Sequence, residues 1–393
     1  MLTSRVVKQL PRASTRSLRP ISAAITRLQP HRLYHETPHS RASVETARSL
    51  NPTDPFASLP PAWSGPPTTN LKGIRPRLDV TKRVFNPSYY TAIAEIMKLR
   101  SKYITNRSIF VEGSDMVPLL LGLGATRADL DALQRVSNNL YSDPTLPFRR
   151  SRNGRFCFDF STRSVRRLEF QPFALSVEED FKRHDSGQIR VFDEVQDELQ
   201  LNTAFQALLV FKGMICHGVQ TTHRPRLDYS SDKWVCTLFN LRTVTTPSIL
   251  GEPALEGVHT DGVDHTMTTY LGSKNMDLAA NSAVTFMHDM NEETGAKYTE
   301  IKPQNLRSRV QHRHFLDTLL LVDTENKHSL SPVLPLDETK EATRDMLIFF
   351  TRRPVKKGDG GHISENIDSF RPHEELPMEV PLFLPGAIYG KDE

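Results

Sequence analysis

No stretch of this 393-residue chain approaches the roughly 18 consecutive apolar residues that a membrane-spanning helix requires, and the longest candidate, residues 116–125, falls well short. No transmembrane segment is expected. Cysteine is scarce too. Cys157, Cys216 and Cys236 are too few and too scattered for a disulfide framework or a cysteine-rich zinc site, so buried thiols in a reducing compartment are expected. Internal repeats are missing. So is acid from residues 1–35, which carry Arg5, Lys8, Arg12, Arg16, Arg19, Arg27 and Arg32. That one-sided segment misleads a reader of the overall charge of +4. Beyond it, 43 basic residues face 46 acidic ones, a net of −3. A basic face for nucleic acid is therefore not implied. The hydrophobic fraction, 38%, suits a soluble globular protein, part of whose chain is unpacked.

The organisation follows from composition. Residues 1–35 combine arginines with Ser, Thr, Ala and spaced Leu and Ile. That is the make-up of a mitochondrial presequence, although Pro11, Pro20 and Pro30 allow only short helical turns. A matrix location is the expectation, with a disordered basic tail in the cytoplasm as the alternative. Residues 36–80, with "NPTDPFASLPPAWSGPPTT", cannot pack a core and read as a disordered linker. A helical N-terminal region is expected over 81–142. Apolar residues recur at helical spacing over 90–102, and Thr126-Arg127-Ala128-Asp129 looks like a capping box opening a helix to about Leu140. From 143 to 354 short β-prone runs dominate: "RFCFDFS", "QIRVFDEV", "KWVCTLFNLRTVTT", "DHTMTTYL", "AVTFMHDM", "HFLDTLLLVD" and "RDMLIFFTR". Separated by turn residues, they read as an all-β barrel or sandwich, interrupted by a helical run over 202–214. Residues 355–393 read as a surface extension.

The informative segment is "EGVHTDGVDHTMTTYL". His259 and Asp261 stand two apart, so on an extended strand both side chains share a face. One imidazole and one carboxylate supply two adjacent metal ligands. A third from another strand would complete a facial triad and leave three positions free, two for a chelating 2-oxo acid and one for O₂. With 14 histidines, about one His-x-Asp arises by chance, so the motif alone is weak. The downstream order strengthens it: "DTLLLVDTENKHSLSPVLPL" reads as a strand, a polar turn and His328 entering another extended piece. Sixteen residues later, Arg344 opens "RDMLIFFTR". An arginine there can grip a distal carboxylate at two points, which lysine cannot copy. In a jelly roll, ligands distant in sequence meet across the barrel mouth.

Rival readings apply to several residues. His312 and His314 are the competitors of His328 for the third position, and Arg344 alone would read as a surface arginine. His265 shares strand parity with His259 and Asp261 if no bulge intervenes at Gly262, which would turn it toward the interior as a substrate contact or an ordinary core histidine. Cys216-His217 reads as structural. Arg190 and Asp193 could form an ion pair, and the facing of Arg242 is ambiguous.

In "SGQIRVFDEV", "LFNLRTV", "EGVHTDGVDH" and "DTLLLVDTENKHSLSPV…ATRDMLIFFT", over roughly 145–354, the sequence resembles the Fe(II)/2-oxoglutarate dioxygenases that include bacterial L-isoleucine hydroxylases. The resemblance implies a double-stranded β-helix (jelly roll, cupin-like) with flanking helices. It matches His259, Asp261 and His328 to the metal ligands and Arg344 to the 2-oxoglutarate arginine. Arg242 and Arg190 fall at family arginine positions. The implied reaction hydroxylates a small polar substrate, a free amino acid among the candidates, with succinate and CO₂ released. Fe(II), 2-oxoglutarate and O₂ are the implied cofactors, and ascorbate the assay reductant. The alternatives are a dioxygenase acting on another metabolite or a protein side chain, and a non-catalytic jelly-roll module with a structural metal. Ala279-Ala280 replaces a glycine pair found in family members, which reshapes that loop and bears on substrate identity. Oligomeric state is not legible.

Overall fold

The computed structural model describes residues 78–83, 85–171, 190–356 and 370–384. The presequence, nearly all of the linker, and parts of the C-terminal extension lie outside the described residues.

Helix α1 (Pro87–Asn106) opens on an Asn86 side chain that accepts the Ser88 N–H, has proline at its first position, and stops at Arg107 in the left-handed region. Tyr89, Ala92, Ile93, Ile96 and Tyr103 form its buried stripe at helical spacing. Strand β1 (Ser108–Val111) follows, so the region read as helical contains a strand as well. Helix α2 (Gly113–Leu123) comes next. Thr126 then caps α3 (Arg127–Leu133) by accepting the Asp129 N–H, as its sequence foretold. That helix ends seven residues before Leu140, giving way to a 3-10 turn. After the short α4 (Asp197–Gln200), helix α5 (Thr203–Cys216) is buried along its whole length.

Among the described residues, ten strands form one large sheet. Its path runs β1, β10 (Thr318–Val322), β7 (His265–Lys274), β12 (Ala342–Arg352), β6 (Lys233–Thr245), β3 (Arg149–Asp159), β4 (Ser164–Arg167), β13 (Glu379–Pro381), with β2 (Tyr141–Ser142) and β5 (Asp193–Glu194) joining β3. A second sheet, in the order β11 (Lys327–Leu330), β8 (Thr285–His288), β9 (Leu306–Val310), is entirely antiparallel. One face of the large sheet packs on the helices. Leu347 and Phe349 of β12, Leu320 of β10 and Met267 of β7 share that core with Phe205, Leu208 and Leu209 of α5. The other face presents the alternate residues to the pocket described below.

Two expectations are corrected. The linker was expected to run to residue 80, yet Leu78 and Val80 are buried and the Leu78 N–H donates to Gln206. The C-terminal extension is not wholly a surface appendage. Its residues Met378, Val380, Leu382 and Leu384 are buried in the main core, and β13 adds to the sheet edge at β4. A three-residue strand between proline-containing turns has too few alternations to announce itself.

Candidate functional site

The site is built on two stretches of chain that meet edge to edge. His259 and His328 exchange main-chain hydrogen bonds in both directions at 2.9 Å, which sets their rings side by side, 4.3 Å between centroids. Gly257 prepares the first of them. It adopts φ +77°, where an added Cβ would lie 2.5 Å from the Ala296 carbonyl oxygen, and its own carbonyl accepts from His259 Nδ1 at 2.8 Å. With an Nδ1–H so engaged, the neutral ring has its lone pair on Nε2, where a metal would take the proton's place. Asp261 Oδ1 lies 3.4 Å from His259 Nε2 and 3.5 Å from His328 Nε2. Thr266 donates to the other oxygen, Oδ2, at 2.5 Å, leaving Oδ1 turned to the imidazoles. All three side chains are buried. One cation with ligand bonds of about 2.0–2.2 Å can be shared by such a set.

The electrostatics agree with the geometry. Burial disfavours charge on His259, but Glu256 and Asp261 outweigh it and raise the imidazole to about 9. Burial also opposes charge on Asp261, yet His328 and His259 drive its carboxyl well below the usual range. A permanent carboxylate beside both imidazoles is a place that favours positive charge.

Above the triad lies a pocket between the two sheets. Its lining includes Phe239 and Leu241 of β6, Leu319 and Leu321 of β10, and Arg344, Met346, Ile348 and Phe350 of β12. Arg344 is 4% exposed, and among the described residues no hydrogen bond or ion pair engages it; its Nε is buried without an acceptor. Burial lowers the guanidinium to about 10, with only the Tyr270 hydroxyl opposing the shift. A buried cation without a counter-ion, facing the same cavity as the triad, is a receptor for an anion.

The remaining sequence candidates divide. Arg190 is buried and lines the pocket, its guanidinium 5.8 Å from the Phe192 ring centre. Arg242 does not line it. Arg242 binds Asp345 through two contacts of 2.7 Å across the β6–β12 pair, and that is a structural pairing. His265 is also corrected as a substrate contact. Gly262 at φ +74° turns the chain before β7, so the parity counted from Asp261 is lost and Thr266 takes the pocket side. His265 instead stacks on Trp234 at 5.1 Å and shares a hydrogen bond with the Tyr103 hydroxyl. His312 stands outside the triad, beside Thr268 and Phe110. Sequence reasoning missed Glu256 and Arg149, which both line the pocket. Glu256 could have been noticed as a second acid in the segment that carries His259. Arg149 pairs with Asp143 at 2.7 Å and had no motif to mark it.

Comparison with known proteins places this geometry. The family model for 2OG-Fe dioxygenases matches residues 134–350. A solved structure of TqaL, described as an Fe(II)/α-ketoglutarate-dependent dioxygenase, is 89% identical; the match covers 77% of this chain and 100% of that one, with a TM-score of 0.67. A bsmA homologue from Methylobium petroleophilum PM1 shares the fold at 20% identity and a TM-score of 0.53, over 66% of this chain and 93% of its own. Among curated proteins, the bifunctional enzyme flvA of Aspergillus flavus is 48% identical over 80% of this chain. The chain spans 38% of that relative's length.

Proposed function

This chain belongs to the 2OG-Fe dioxygenase family and is an Fe(II)/2-oxoglutarate-dependent dioxygenase, and on that footing we propose that it oxidises a free amino acid with an apolar side chain. In this reading His259, Asp261 and His328 hold the iron, and Arg344 receives the far carboxylate of 2-oxoglutarate. The residues present fit both groups: three ligand atoms converge, and a buried guanidinium faces the same pocket with no partner among the described residues. Bound there, iron couples the oxidation of a substrate by O₂ to the conversion of 2-oxoglutarate into succinate and CO₂. The protein does the rest. The Gly257 carbonyl fixes the His259 tautomer, Thr266 aims Asp261, and Met346 and Leu321 make that part of the pocket wall apolar.

The observation that carries the substrate reading is the mixture of charges around that apolar wall. Arg190 and Arg149, the latter paired with Asp143, bring positive charge to the wall where a carboxylate would lie; Glu256, 3.5 Å from His259 Nε2, brings negative charge for an ammonium group; and Phe239, Leu241 and Leu319 form a hydrophobic surface. A small zwitterion with an apolar side chain satisfies all three. The test is a panel of free amino acids incubated with protein, Fe(II), 2-oxoglutarate and ascorbate, followed by mass spectrometry of succinate and of each amino acid. Succinate formation coupled to a mass change in aliphatic members is the expected result. Turnover of 2-oxoglutarate that no amino acid stimulates would overturn the substrate assignment and leave the dioxygenase class intact.

A further inference from the structure

Two buried aspartates flank strand β10, and both spend their carboxylates on backbone N–H groups. Asp317, just before the strand, accepts from Gly113, Arg313 and His314 at 2.7–2.9 Å. Asp323, just after it, does the same for a different loop. Its Oδ1 accepts the Asp261 N–H at 2.9 Å, and its Oδ2 accepts the Val263 N–H at 3.2 Å. Its own N–H donates to the Asp264 carbonyl at 3.0 Å. Arg224 completes the clamp, with one guanidinium N–H on Asp323 Oδ2 at 2.8 Å and Nε on the Val263 carbonyl at 2.7 Å. The turn 261–264 is thus gripped from both sides by one ion pair. Gly262, at φ +74°, lies at the centre of this turn, whose far end is also held at Asp264, with its N–H on the Thr351 carbonyl at 3.1 Å and its carboxylate accepting from Tyr229 and the Arg353 N–H.

The place of Asp323 in the chain matters as much as its bonds. It lies five residues before His328, in the connection from β10 to β11. Whatever holds Asp323 against the Asp261 turn also holds the segment bearing His328 in register with the segment bearing Asp261. Neither Asp323 nor Arg224 lines the pocket, so neither touches a substrate there. Both are buried, and the carboxylate is fully so.

We infer that Asp323, backed by Arg224, is a positioning residue that sets the metal affinity of the site by fixing the Asp261 carboxylate between the two imidazoles. This rests on the reading that His259, Asp261 and His328 hold the metal. Groups that orient metal ligands from behind are worth about 10–100-fold in metal affinity. A carboxamide at position 323 would turn an NH₂ group toward one of the N–H donors, and the turn would lose its grip.

The experiment compares Asp323→Asn with Asp317→Asn in the full chain, freed of metal. Asp317 is the control because it is equally buried, flanks the same strand and holds three backbone N–H groups, none of them in a ligand-bearing turn. Co(II) alone is titrated into each protein, reading its visible absorption, and melting temperatures are taken without metal. The expected result is that both variants melt lower, while only Asp323→Asn weakens Co(II) binding, by about 10–100-fold, and alters the Co(II) spectrum. Arg224→Lys serves as the second variant should Asp323→Asn fail to fold. It keeps the charge but not the fork that spans Asp323 and the Val263 carbonyl, so Co(II) binding should weaken about tenfold with smaller loss of melting temperature. Co(II) affinity within about twofold of wild type in either folded position-323 or position-224 variant, or an equal loss in Asp317→Asn, would overturn the assignment. His259→Ala is run alongside. If it binds Co(II) normally, the ligand reading itself is overturned, and this inference with it.

Discussion

Replacing Arg344 should move stability and function in opposite directions. The guanidinium is charged at neutral pH but buried, and burial lowers it from 12.5 to about 10. At 1.36 kcal/mol per pH unit, holding that charge in the ligand-free fold costs roughly 3 kcal/mol. Arg344→Met removes the charge and keeps much of the bulk beside Met346 and Ile348. Imperfect shape takes back part of the gain, so the ligand-free variant should melt a few degrees higher, at about 2–4 °C per kcal/mol. Function should go the other way. A charge-assisted hydrogen bond is worth about 1.5–3 kcal/mol, and the two-point contact supplies two, so 2-oxoglutarate binding should weaken by at least about 100-fold. Arg344→Lys keeps the charge and loses the fork, which predicts a Michaelis constant for 2-oxoglutarate raised about 10–100-fold with iron content intact. Thermal unfolding with and without 2-oxoglutarate reads both effects. In the native protein the co-substrate at a hundred times its dissociation constant should add about 2.7 kcal/mol, and in Arg344→Met at most about 0.4 kcal/mol at the same concentration. A methionine variant that melts lower without ligand, or a lysine variant with unchanged 2-oxoglutarate dependence, would refute the reasoning. Arg190, which lines the pocket, would then be the next candidate; Arg149 and Arg242 are paired with Asp143 and Asp345.

Three further outcomes follow from other parts of the molecule. Arg242→Ala strands the buried Asp345 carboxylate and should cost about 3–5 kcal/mol in urea unfolding, while leaving the Michaelis constant for 2-oxoglutarate within about threefold. Burial, aided by Arg344, lowers His312 to about 3. A histidine depressed in the fold binds its proton first when unfolded, so its contribution is present above pH 6.5 and is lost as pH falls toward 3. Between pH 6.5 and 5 the native protein should lose about 2 kcal/mol more than His312→Gln, and equal losses would exclude this histidine as the cause. Burial pushes the Cys157 and Cys216 thiols up to about 12, so neither should react with a disulfide reagent at pH 8 until denaturant is added.

The parts of the site legible in the sequence are those fixed by alternation. Arg344, Met346, Ile348 and Phe350 could be placed on one face because β12 is long and pleated, and all four line the pocket. His328 was legible from its position after a strand and a polar turn. What escaped depends on turns. The parity from Asp261 to His265 failed at Gly262, whose backbone conformation no side-chain pattern records. Arg242 and Arg344 are alike as letters, and only the register that sets Arg242 opposite Asp345 separates a structural pair from an anion receptor. The clamp of Asp323 on the Asp261 turn joins groups 62 positions apart through main-chain donors, which carry no residue identity at all.

The pairing of β4 with β13 has a consequence for how the molecule is made. Val165 takes its sheet partner from Val380, some two hundred residues downstream, and β1 finds β10 at a similar remove. While the ribosome is still extending the chain, the β4 edge has no neighbour on that side, and Leu168 nearby waits for the segment that carries Pro372. An unpaired edge of this kind invites pairing with other chains. Closure of the sheet therefore waits until residues 372–381 have emerged, and nascent chains halted near residue 354 should be held by chaperones or aggregate, although every ligand of the metal site has by then been synthesised.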